Sequence, residues 1–109
     1  MSYWVNLTDK DTGDLVPVPT FQEGGTLVVG GSGSADLNVT YNYCKRFDFK
    51  SLGGKTAEVT IPVLTAAVME LGVVRDPDYW APTPGNAGHA CNILLGWAHL
   101  HPKAVWEVR

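Results

Sequence analysis

Residues 37–43, Leu-Asn-Val-Thr-Tyr-Asn-Tyr, constrain the fold more than any other part of this chain, because they alternate without a break. In an extended strand Leu37, Val39, Tyr41 and Tyr43 fall on one face, and Asn38, Thr40 and Asn42 fall on the other. The first set makes a core face rich in aromatic rings. The second makes a row of uncharged hydrogen-bonding groups, more selective than contact with water requires. The pattern predicts a half-buried strand from about Ala35 to Tyr43, with Asn38, Thr40 and Asn42 as contacts to a ligand or partner.

The rest of the chain supplies a partner sheet and two helices. Tyr3 to Leu7 reads as a first strand and Leu15 to Val18 as its return, joined by the turn-rich link Thr8–Asp14. Pro17 and Pro19 flank Val18 and make that second strand short or an edge. Gly24-Gly25 opens a third strand, Thr26 to Val29, and Gly30–Ser34 turns into the alternating stretch. A first helix is predicted to start near Thr60, with Pro62 in its first turn, Ile61, Leu64, Val68 and Leu71 on one face, and Gly72 as its stop. A second starts at Thr83-Pro84 and ends before Pro102, with Ala87, Ala90, Cys91, Leu94, Trp97, Ala98 and His101 on one face. A last strand runs from Ala104 to Val108. Strands first and helices later predict an α+β domain with the order ββββααβ. It is a small antiparallel sheet of about five strands with both helices on one face.

At 109 residues the chain is one domain, residues 1–109, long enough to bury a core without metal or disulfide. Its net charge of −3 disfavours nonspecific nucleic-acid binding, which needs a basic surface. Charged residues make up only 17% of the chain, a share that glycine helps to dilute and that points to a surface partly covered by another subunit or a partner; a homo-oligomer is expected. Cys44 and Cys91 form no Cys-x-x-Cys motif. No apolar run approaches the roughly 20 residues that span a bilayer. A reducing cytoplasm is the default compartment.

The candidate sites are few. Gly53-Gly54-Lys55-Thr56 has the end of a phosphate-binding loop, but Phe49 stands where that loop needs its first glycine. Amides there, with Lys55, remain a place for an anion. His99 and His101 point about 200° apart on a helix, and His89 lies about 15 Å from His99, so the histidines predict no metal site. Gly85, Gly88 and Gly96 share the outer face of the second helix with His89, Asn92 and His99. Each glycine lowers helix propensity by roughly 1 kcal/mol, so the expectation is either close approach of a backbone, ligand or subunit, or a helix packed well enough by its Leu94–Trp97 stripe to tolerate them. Tyr79 and Trp80, in the connector between the helices, read either as a lid packed over one end of the core or as an exposed aromatic anchor for a partner. Asp76 and Asp78 are turn formers. No serine has a neighbouring base and no nucleophile elbow occurs, so no catalytic residue and no cofactor are expected.

Several blocks together carry a resemblance: Leu37 to Tyr43; Gly54-Lys55-Thr56-Ala57 with Ile61-Pro62-Val63-Leu64; Asp78 to Thr83 with Gly85-Asn86-Ala87; and His101-Pro102 with Val105-Trp106-Glu107. In their order the chain resembles a family of short, uncharacterised proteins encoded by bacteriophages and prophages. The resemblance implies a phage origin and a place in the infected bacterial cell. It is joined by an analogy with small phage proteins that antagonise host defence or regulation. The expectation is a noncatalytic binding protein that recognises a host protein. The alternative is a small-ligand, nucleotide-like sequestering protein using Lys55 and the polar strand face. A minor hydrolase or metal enzyme and a virion component are further options.

Overall fold

A computed structural model describes residues 1–19, 21–22, 28–29 and 33–109. Along the chain these give β1 (Ser2–Thr8), β2 (Phe21–Gln22), β3 (Val28–Val29), β4 (Asp36–Thr40), two 3₁₀ segments (Tyr41–Lys45 and Phe49–Leu52), α1 (Ala57–Leu71), α2 (Pro84–Leu100) and β5 (Val105–Val108). The fold is α+β. Its continuous sheet is antiparallel, with β1 between β4 and β5. The two-residue segments β2 and β3 pair with each other, and Val29 lies opposite Leu37 of β4.

Register sorts the side chains. Val5 faces Leu37 and Val108 across the ladder, Leu7 faces Trp106, and Tyr3 faces Val39. Val5, Leu7, Leu37, Val39 and Trp106 are buried and form the sheet's share of one core. Alternation then puts Trp4, Asn6, Thr8, Asp36, Asn38 and Glu107 on the opposite, open face. The helices add Leu64, Ala67, Ala87, Ala90, Cys91, Leu94, Trp97 and Ala98 to the same core. Trp106 ties the sheet to α1 by donating its Nε1–H to Thr60 Oγ1 (2.8 Å).

The helix signals of α2 act as expected: Thr83 Oγ1 accepts from Asn86 N (3.2 Å), and Pro84 opens the first turn. His101 lies just past the last helical residue, and its Nε2 donates to Pro17 O (2.6 Å). Gly72 ends α1 with a φ of 74°. Three expectations are corrected. The strand from Ala35 to Tyr43 stops at Thr40, whose hydroxyl accepts from Asn42 N (3.3 Å) and turns the chain into a 3₁₀ segment. Leu15–Val18 forms no strand. It makes single bridges, Thr8 to Leu15 and Pro17 to Ser34, because the flanking prolines cannot donate to a ladder. And α1 starts at Ala57 rather than near Thr60, since Ala57 N and Glu58 N donate to Ala104 O (2.8 Å) and Pro102 O (2.9 Å). The turn residues 30–32 and the start of the expected third strand lie outside the described residues.

Candidate functional site

The expected polar row does not form an outward surface. Asn38 does lie on the open face, but its Nδ2 donates to Ser2 Oγ (2.8 Å) and toward Tyr3 O (3.4 Å). Thr40 is buried and serves as the cap described above. Asn42 belongs to the 3₁₀ segment, and its Nδ2 donates to Trp80 O (2.8 Å). All three bond within the domain, so their primary role is to hold the fold.

What Asn42 holds is the connector between the helices. Tyr43 donates its hydroxyl to Tyr79 O, and Arg46 Nε donates to Pro82 O (2.9 Å). From the other side the buried Asn86 accepts from Asp76 N (2.9 Å) and donates to Asp78 O and Ala81 O (both 3.0 Å). Asp76 and Asp78 accept from the amides of Asp78 (2.8 Å) and Trp80 (3.0 Å). The loop is therefore tied at nearly every residue. It presents Trp80 48% exposed, with the Tyr79 ring 5.5 Å away and tilted by 42°. Tyr41, next to Asn42, is also exposed.

The glycines of α2 have an internal explanation. A Cβ on Gly85 would lie 1.8 Å from Val74 O, and one on Gly88 would lie 1.7 Å from Gly72 O. The backbone that leaves α1 thus crosses α2 at these two positions. Gly96 meets nothing within 4 Å. On the same helix His89 is half-buried, and burial and the Arg75 guanidinium hold its imidazole below the usual range. Asn92 and His99 are exposed. The Lys55 side chain is exposed as well, but the loop around it is no anion cradle. Gly53 N donates to Lys50 O (3.2 Å), Gly54 N to Trp106 O (2.8 Å) and Lys55 N to Leu52 O (3.1 Å). Together with the amides of Ala57 and Glu58, the donors an anion would use are already paired.

Nucleophilic chemistry finds little to work with in the thiols. Burial pushes Cys91 up to about 12, and burial followed by the Asp48 charge raises Cys44. Both are thiols rather than thiolates at neutral pH. Among the described residues no group of three or more His, Cys, Asp and Glu could hold a metal ion. Among them, too, no helix is long and apolar enough to cross a membrane.

The open face of the sheet holds a cavity of about 660 Å³ that the sequence reading missed. Trp4, Asn6 and Thr8 of β1, Asp36 of β4, and Glu107 and Arg109 at the end of β5 line it, and Gly13 and Leu15 of the loop after β1 complete the lining. Asn6 is almost fully buried. With its amide oriented to suit both neighbours, it donates to Asp36 Oδ1 (2.6 Å) and accepts from Arg109 Nη2 (3.1 Å). Arg109 Nε also meets Glu107 Oε1 (3.1 Å). Burial raises the Asp36 carboxyl above its usual range, against the pull of Arg109. The available signal was the alternation of β1 itself, Trp4-Asn6-Thr8 against Tyr3-Val5-Leu7. No family model, curated protein or solved structure matches this chain.

Proposed function

We propose that this chain is a noncatalytic binding protein of the bacteriophage type. It takes hold of a host protein through the Tyr79–Trp80 connector, in the manner of an antagonist of host defence or regulation within the infected cell. The observation that carries this reading is the exposed Trp80 on a loop bonded to the domain on both sides. Interface energy concentrates in Trp, Tyr and Arg side chains. A loop already fixed in one geometry loses little freedom on binding. Tyr41 and Arg46 flank the same loop and extend the surface. The order of sequence blocks supports the phage origin, and the net charge of −3 favours a protein partner over nucleic acid.

The test is capture from a bacterial lysate by the wild type and by Trp80→Ala. One dominant protein is expected with the wild type. Truncating a central tryptophan is worth about 2 kcal/mol or more, so its affinity should drop at least roughly thirtyfold in the variant. Enrichment of no protein, or equal capture by a folded Trp80→Ala, overturns the reading. A second reading, small-ligand sequestration, rests on the cavity of the open sheet face rather than on the glycine loops.

A further inference from the structure

We infer that the cavity on the open sheet face binds an organic cation, an ammonium or guanidinium group carried on an apolar stem. This names a ligand class for the small-ligand reading and stands apart from the surface at Trp80. The charge of the site favours a cation. Asp36 and Glu107 bring two carboxylates to the lining, and Arg109 brings one guanidinium. That guanidinium is paired with Glu107 and bonded to Asn6, so the ion pair cancels and Asp36 leaves the lining with one net negative charge. The loop that supplies Gly13 and Leu15 also carries Asp9, Asp11 and Asp14 against the single Lys10, which deepens the negative field at the mouth. Asp9 keeps its carboxylate on the amides of Asp11 (2.8 Å) and Thr12 (3.1 Å) and so shapes the loop rather than meeting the ligand.

The apolar part has a place too. Trp4 lines the cavity and is 46% exposed, which puts an accessible indole beside the carboxylates for a cation to meet. Leu15 in the lining is exposed and suits a methylene stem. Asp36 is held by a buried amide at 2.6 Å, so its carboxylate stands in a fixed direction before any ligand arrives. A wholly apolar ligand would desolvate the Asp36 carboxylate without adding a partner for it and is disfavoured.

The experiment follows the Trp4 indole N–H resonance, assigned through Trp4→Phe, in titrations of the full chain. The probes are 1,4-diaminobutane, N-acetyl-arginine amide, inorganic phosphate and the uncharged 1,4-butanediol. Saturation by either cation below about 20 mM supports the inference. The diamine alone points to a free polyamine, and the arginine amide alone to a side chain of a protein. Asp36→Asn should weaken that binding about tenfold or more. Glu70→Gln, an equal charge change on α1, should leave it within about twofold. Saturation by butanediol to the same degree keeps a ligand cavity and overturns the cation assignment. Saturation by phosphate overturns it as well. No shift with any probe, or undiminished binding in Asp36→Asn, overturns the site itself.

Discussion

Asp36 sits where a carboxylate and a buried amide meet, and its chemistry predicts an unusual pH response. Partial burial raises its proton affinity in the folded chain, and the Arg109 charge only partly offsets this. The unfolded chain has the ordinary value near 3.8. Between that value and the raised folded one, the native state keeps a proton that the unfolded state has released. Stability contributed by this group therefore falls as pH rises through that window, and above it the ionised carboxylate is a standing penalty. Asp36→Asn keeps the oxygen that accepts from Asn6 and removes the charge. Its Tm at pH 7 is expected to exceed that of the wild type, and the two should converge as the pH is lowered to about 3. A lower Tm for the variant at pH 7 would contradict the assignment. Asp9 behaves oppositely, since the amides of Asp11 and Thr12 hold its carboxyl below the usual range. Its contribution is present at neutral pH and is lost as the pH falls through that lowered value.

At the scale of elements, α2 separates two kinds of glycine. By propensity alone, alanine should improve every glycine in this helix by roughly 1 kcal/mol. Gly96 faces open space, so Gly96→Ala should gain about that amount in chemical unfolding. Gly88 faces the carbonyl of Gly72 at a distance no Cβ tolerates, so Gly88→Ala forces the α1–α2 connection apart. It is expected to lose about 2 kcal/mol or more despite the better propensity. Equal effects at the two sites would refute the crossing. The sequence made the existence of this helix plain, because Thr83, Pro84 and the apolar stripe are local signals. It also placed β1, β5 and the start of β4, where period-two alternation is strong. The stop at Thr40 was hidden because the same hydroxyl suits a strand face or a cap. The start of α1 was hidden because its first amides are paired by carbonyls some 45 residues away. The cavity needed β1, β4 and β5 in register, and no local pattern encodes that pairing. Of the three α2 glycines that left close approach or mere tolerance open, Gly85 and Gly88 meet a backbone, and it is the chain's own.

For the whole molecule, the low charge content has a visible counterpart on α1. Val59, Val63 and Met69 face outward, with Met69 82% exposed, and Glu70 is the charge among them. If a second copy covers this face, the contact has a definite geometry. Two such helices laid antiparallel about Ala66 set Val63 against Met69 of the other copy, and no two like charges oppose each other at the centre. Size limits the strength of that contact. A helix of 15 residues is about 22 Å long, and a face about 10 Å wide presents roughly 220 Å² per copy. Stable interfaces bury about 800 Å² per partner. Self-association through α1 is therefore expected to be weak and strongly dependent on concentration. Sedimentation velocity should report a monomer at low micromolar concentration and a growing dimer fraction toward about 1 mM. Met69→Lys sets a charge that must be desolvated against Val63 of the other copy and should hold the protein monomeric throughout, with little change in stability because Met69 is exposed. A sedimentation coefficient that stays constant for the wild type over that range, or rises equally in Met69→Lys, rules out α1 as the contact.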